Sequence, residues 1–215
     1  MTYAETCANV LEIYREIFKL KLTYSTWGNV SARYEDGLIV TPSRIACDVM
    51  TPEDMVYLSF DGSVISGVRV PTSERDIHRL IIARRPDVNA VVHTHSPYAC
   101  AAAAAGMTIA PHIEEIPQLI GGAIRCTDEY VPALDHLALA QKTADTMGSF
   151  NAVLIRNHGP MCAGSSLEEA LTCALVTEKA AQIQLILSGP AAFSPIPDEY
   201  VVAERRRYVE KYGRE

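Results

Sequence analysis

Residues 88–96 read Val-Asn-Ala-Val-Val-His-Thr-His-Ser. The run is rich in β-branched residues and favours a strand, and Pro97 with the alanines behind it opens a helix reaching about Ala105. Side chains on a strand alternate faces with period two, so the imidazoles of His93 and His95 project from the same side as a ready bidentate pair. Six histidines in 215 residues would give about 0.17 His-x-His pairs by chance, so the pair is informative.

Outward from this stretch, strands and helices alternate. Upstream, Thr72-Ser73-Glu74 precedes a helical pattern at Ile77, Leu80 and Ile81 that must stop before Pro86, which places Glu74 at or just inside a helix start. Earlier still, Asp36-Gly37 and Asp61-Gly62 are turn signals between short alternating runs and predict two hairpins, with a further turn at Gly28-Asn29. Leu11, Ile13, Tyr14, Ile17 and Phe18 recur at helical steps and give an amphipathic first helix ending near Leu22. Downstream, the reading is a helix from Leu134 to Met147, a strand AVLI running into the turn Arg156-Asn157-His158-Gly159-Pro160, a long helix from Leu167 to Leu187, and a short charged helix with a tail. These elements make one α/β domain over residues 1–215, with a central, largely antiparallel sheet and helices on both faces.

Composition narrows the function. At 23.5 kDa, 48% hydrophobic and 21% charged, the chain has the balance of a globular core and can fold without a metal or disulfide. A net charge of −7 argues against nucleic acid or an anionic membrane as partner, leaving a small anion held by a local pocket. The six scattered cysteines read as reduced, mostly buried thiols of a cytoplasmic protein. The first residues are acidic and helical in pattern, unlike a signal peptide, and the longest apolar stretch, Tyr98 to Ala110, is too short to span a bilayer.

His158 sits where an apolar strand ends in a Gly-Pro turn, a place where α/β folds present functional groups. Three imidazoles make an open site for a zinc-like divalent ion, and Glu74 is the natural carboxylate to join them, although an acid in a first helical turn is also favoured by the macrodipole alone. His78, four residues after Glu74 on the same helix face, offers either a support behind the Glu74 site or, more readily, an ordinary surface histidine, and His112 and His136 show no partner. Glu115 lies in a turn-rich apolar neighbourhood and is a candidate catalytic acid. Gly28-Asn29, Ser43-Arg44 and Thr72-Ser73 offer amides, hydroxyls and a guanidinium suited to a phosphate.

In this order, TWGNVSAR, TPSR, PTSE, VVHTHS, RNHG and the tail KYGRE resemble the zinc-dependent class II aldolases of the fuculose-phosphate aldolase type. That group lies in the aldolase/adducin family, which also holds ribulose-phosphate 4-epimerases. The resemblance covers nearly the whole chain. It implies a three-layer αβα fold and a homotetramer with active sites at subunit interfaces. It implies that Glu74, His93, His95 and His158 bind Zn2+ (or Mn2+ or Co2+), with Glu74 doubling as acid/base. It further implies that Gly28, Asn29, Ser43, Arg44, Thr72 and Ser73 bind the substrate phosphate and that Tyr212 is the tail tyrosine that helps protonate the aldehyde oxygen.

The reaction so implied cleaves a (deoxy)ketose 1-phosphate, such as fuculose 1-phosphate or a five-carbon relative, to dihydroxyacetone phosphate and an aldehyde through an enediolate stabilised by the metal. Arg44 stands where the family has glycine in its TPSG or TPTG turn, and it can serve a phosphate or a carboxylate. Counting back without gaps from Gly121-Gly122, Glu115 occupies the position of a family tyrosine. These two departures are where a change to epimerase, dehydratase or decarboxylase chemistry would show. A non-catalytic adducin-like interaction domain is disfavoured by the intact Glu/His/His/His set.

Overall fold

The computed structural model describes residues 1–188 and 196–210, and the tail tyrosine Tyr212 lies outside them. Helix α1 (Tyr3–Lys19) starts at Thr2, whose hydroxyl and the Glu5 carboxylate close a reciprocal cap, and it buries Cys7, Val10, Leu11, Tyr14 and Ile17. Two hairpins follow as expected, β1 (Asn29–Tyr34) with β2 (Gly37–Val40) and β3 (Val56–Ser59) with β4 (Val64–Ser66). Then come α2 (Arg75–Arg84), β5 (Ala90–His93) and α3 (Pro97–Ala105). The second half holds β6 (Arg125–Cys126), α4 (His136–Met147), β7 (Ala152–Ile155), β8 (Gly159–Gly164), α5 (Leu167–Leu187) and α6 (Asp198–Glu210).

The strands form one sheet in the order β4-β3-β2-β1-β5-β8-β7-β6, antiparallel throughout except between β6 and β7. Strand alternation splits the core in two. Val30, Ala32, Ala90 and Val92 pack toward α1, α3 and α5. Leu38, Val40, Val91 and Val153 pack toward α2 and α4 through Ile77, Ile81, Ile82, Leu139 and Met147. The architecture is the expected three layers, helices over both faces of a largely antiparallel sheet.

The differences from the sequence reading are local. β8 is an unexpected central strand, because Gly159-Pro160 reads as a turn, whereas the turn is the three residues before it and β8 pairs back on β7 from Ile155↔Gly159. A wide, π-type helical turn at Ile116–Ile120 and the two-residue β6 were also not predicted. α4 begins at His136, two residues late, where Asp135 accepts a hydrogen bond from the Ala138 amide. α5 is long and apolar enough to cross a membrane, the one such helix among the described residues. Its apolar character has a local use here: Ala170, Cys173, Ala174, Ala180 and Ala181 let it pack closely on β8, β5 and α3.

Candidate active site

Sheet register assembles the site. Asn29 at the start of β1 stands opposite His93 at the end of β5, and His93 stands opposite Met161 of β8, one strand from the turn that carries His158. Alternation puts Asn29, Ser31 and His93 on the face of Val91, the face α2 covers, and α2 begins at Glu74. The chain enters β1 through Gly28 at φ +76°, where an added Cβ would lie 3.0 Å from the His93 carbonyl oxygen. Glycine takes both the backbone angle and that approach without strain. β5 itself ends at His93, so His95 lies beyond the strand and is held by its own amide donating to the Leu22 carbonyl at 3.0 Å.

The ring nitrogens converge despite that early strand end. Nε2 of His93 and Nε2 of His95 are 3.0 Å apart, and one nitrogen from each of His93, His95 and His158 lies within 4.8 Å of the others. Glu74 completes the group, with Oε1 at 3.0 Å from His158 Nε2 and Oε2 at 3.4 Å from His93 Nε2. The Asn29 side-chain amide donates to Glu74 Oε2 at 2.7 Å. Trp27 stacks on the outer side of His95 with ring centroids 5.9 Å apart.

Burial sets the charges. It holds His93 down at about 4 and His95 down at about 3, the latter further depressed by His93 and His158, so both are neutral near pH 7. Burial opposes ionisation of Glu74 as well, yet the neighbouring imidazoles and the Asn29 N–H outweigh it and keep the carboxyl well below its usual range.

The donor set fits a divalent ion. His93 Nδ1 donates to the Pro160 carbonyl at 2.8 Å, which fixes the tautomer and leaves Nε2 with a free lone pair. Glu74 Oε1 is buried without a hydrogen-bond partner, 3.0 Å from His158 Nε2. Tetrahedral zinc with bonds of about 2.0–2.1 Å to nitrogen and oxygen spaces its donors about 3.3 Å apart, close to the 3.0–3.4 Å of the His93–His95, His158–Glu74 and His93–Glu74 pairs. An orphaned carboxylate oxygen in one cluster with a neutral His93 whose Nε2 lone pair is preset is the chemistry of such a site.

Outside the cluster lies a cleft of about 980 Å³, and all six residues expected to receive phosphate, Gly28, Asn29, Ser43, Arg44, Thr72 and Ser73, line it with Glu74, His95 and His158. Its two outer loops are tied by Thr72 N–H donating to Thr41 O at 3.1 Å and Ser43 N–H donating to Val70 O at 2.9 Å. Arg44 sits at φ +62°, a left-handed angle that a glycine would take without strain. Arg69, paired with Asp54 at 2.7 Å, and Arg75 add two more guanidiniums to the lining.

Two expectations are placed elsewhere or revised. Glu115 does not line the cleft and instead pairs with Lys179 on α5. His78 is no surface histidine: it is wholly buried, with Nε2 2.5 Å from Asn29 Oδ1 and Nδ1 2.7 Å from Ser31 Oγ. Its place on the buried face of α2, beside Ile77, Ile81 and Ile82, is the signal the sequence reading passed over.

The sequence profile of the Class II Aldolase and Adducin N-terminal domain matches residues 8–185. The chain belongs to this family. It is 37% identical over 164 residues to the 5-deoxy-D-ribulose 1-phosphate aldolase of Bacillus thuringiensis serovar kurstaki, covering 75% of this chain and 76% of that protein. It is 32% identical over 216 residues to an L-ribulose-5-phosphate 4-epimerase of Salmonella paratyphi B, covering 95% and 93%. Its fold superposes on an L-fuculose 1-phosphate aldolase with a TM-score of 0.90 at 24% identity, over 95% of this chain and 96% of that one.

Proposed function

We propose that this class II aldolase family member is a divalent-metal-dependent lyase. It cleaves a (deoxy)ketose 1-phosphate, of the fuculose 1-phosphate kind or a five-carbon 5-deoxy relative, to dihydroxyacetone phosphate and an aldehyde. One observation carries the reading: the Glu74, His93, His95 and His158 cluster opens into a cleft lined by Asn29, Ser43, Arg44, Thr72 and Ser73, so a metal-type donor set and an anion-receiving wall share one space. The Bacillus thuringiensis aldolase supports the five-carbon choice.

Held by those four residues, zinc or another divalent ion would supply positive charge for the enolate oxygen that develops as the carbon–carbon bond breaks. The chain does the rest. Ser43, Thr72, Ser73, Asn29 and Arg44 anchor the phosphate and so fix carbon 3 against Glu74. When the C3–C4 bond breaks, its electron pair stays on the C1–C3 fragment as an enediolate, carbon 4 becomes the aldehyde carbonyl, and the hydroxyl on carbon 4 gives up its proton to the aldehyde-side groups, which pass it to the ionised Glu74 carboxylate. Glu74 delivers a proton to carbon 3, and in the direction of addition the ionised carboxylate removes it again. Glu115 and Tyr212 serve the aldehyde side from a second copy of the chain in a homotetramer. The large apolar side chains exposed at the mouth of the cleft, Trp27, Val68 and Val70, support a subunit boundary there.

The Salmonella relative, which matches nearly the full chain, favours a second reading, 4-epimerisation of a ribulose phosphate by cleavage and re-addition to the opposite face of the aldehyde. The zinc-loaded protein should be given ketose 1-phosphates, ribulose 5-phosphate and 3-oxo acid phosphates, with separate measurement of triose phosphate, C4 epimer and carbon dioxide. Triose phosphate from a ketose 1-phosphate is the expected outcome. An epimer without free triose phosphate selects the second reading, and carbon dioxide alone overturns both.

A further inference from the structure

We propose that His78 is a positioning residue whose Nε2–H holds the Asn29 side chain in the one orientation that turns an N–H toward Glu74. Ionised Glu74 can only accept, so the atom 2.7 Å from its Oε2 must be the Asn29 nitrogen acting as donor. That places Asn29 Oδ1 on the far side, 2.5 Å from His78 Nε2, which must therefore carry a hydrogen. A neutral imidazole then has its lone pair on Nδ1, and the Ser31 hydroxyl donates to it at 2.7 Å. Burial pushes His78 down to about 4, in keeping with the neutral ring this chain of bonds requires.

Every link has one direction, from Ser31 through His78 and Asn29 to Glu74. Ser31 and His78 are fully buried and Asn29 nearly so, so water is not at hand to replace a lost partner. The geometry follows from matched periods. Asn29 and Ser31 lie two residues apart on β1, about 6.6 Å, and Glu74 and His78 lie four apart on α2, about 6 Å, so helix and strand meet at both rungs. Without the His78 N–H, the Asn29 amide is free to turn over and present Oδ1 to the carboxylate, setting two acceptors against each other. Glu74 would then lose the contact that orders its Oε2 beside His93.

The consequence for turnover rests on the aldolase reading above, whereas the consequence for metal affinity does not. The test compares wild type, His78→Phe, His78→Gln and Ser31→Ala, each first shown to fold by circular dichroism and thermal melting. The zinc Kd is then measured by chelator competition, together with kcat for triose phosphate release. His78→Phe should weaken zinc binding and lower kcat, each by about 10- to 100-fold. His78→Gln, whose amide N–H can replace Nε2–H, should recover most of both. A folded His78→Phe with zinc Kd and kcat within about threefold of wild type overturns the proposal, as does a His78→Gln as impaired as His78→Phe. If His78→Phe fails to fold, Ser31→Ala decides: releasing the tautomer should shift both readouts by about 3- to 10-fold in the same direction, and no shift overturns the proposal. Should wild type release no triose phosphate from any substrate, the zinc series still decides the role of His78 while the aldolase reading alone falls.

Discussion

The floor and the rim of the cleft are built differently. The floor, Asn29, His93, His78 and Glu74, stands on the ends of β1 and β5 and the start of α2, so backbone register places every group, and His93 and His78 are wholly buried. The rim, residues 41–45 and 68–73, is two loops tied by a few main-chain hydrogen bonds and carries exposed Arg44, Arg69 and Ser73. A floor fixed by a sheet suits chemistry that fails if an atom moves by an ångström, while a rim of long cations and hydroxyls suits capture of an anion whose exact pose matters less. Floor changes should therefore act on kcat and metal content, and rim changes on KM.

The sharpest way to break that division is His93→Ala. It should abolish binding of the proposed divalent ion and cut turnover by at least ~10³-fold, with far-UV circular dichroism unchanged, since such an ion would supply several kcal/mol of transition-state stabilisation. Metal analysis and kcat on one sample check both parts. Glu74→Gln comes next: loss of the proposed proton-transfer group should lower kcat by ~10²–10⁴-fold while KM moves little.

Acid should weaken the floor of the metal-free protein. His78 takes up its proton near 6.5 when unfolded but only near 4 when folded, so between those values the unfolded chain binds more protons. Stability is therefore complete above about pH 6.5 and falls as pH drops toward 4, by on the order of 3 kcal/mol for this one residue. Urea unfolding at pH 7 and pH 4.5 measures the loss, and an unchanged midpoint would contradict the buried, neutral state.

Gly28→Ala should cost about 1–3 kcal/mol through its left-handed backbone and its approach to the His93 carbonyl, lowering Tm by several degrees. The smallest effect belongs to the rim. Arg44→Gly, which relieves a left-handed φ while removing an exposed cation, should raise KM about fivefold and leave kcat within twofold. A fall in kcat instead would erase the boundary between floor and rim.

What the sequence showed and what it concealed follow the same division. Period-two alternation, turn dipeptides and helical spacing are local signals, and they located the hairpins, α2 and β5, whereas the imidazoles converge although His95 lies past the strand end. β8 was hidden because Pro160 looks like a terminator, although near the start of a strand its missing N–H is tolerated and its carbonyl serves His93 and Thr94. His78 was misjudged because polarity suggested solvent, while its neighbours Ile77, Ile81 and Ile82 show that face to be interior. Glu115 precedes a turn whose Ile116, Pro117, Leu119 and Ile120 are buried, and no linear count shows that its carboxylate lies outward against Lys179.

The two histidines that face Glu74 and Asn29 differ in how they are held. His93 leans on the main-chain oxygen of residue 160, an atom every amino acid possesses, so no exchange of that side chain can delete the contact. His78 depends on the hydroxyl of Ser31, which a single replacement removes. One ring is thus insulated from mutation at its support and the other is vulnerable. Drift in this protein should accordingly be tolerated at position 160 to the extent that the strand accepts the new residue, while positions 29, 31 and 78 should change together or not at all.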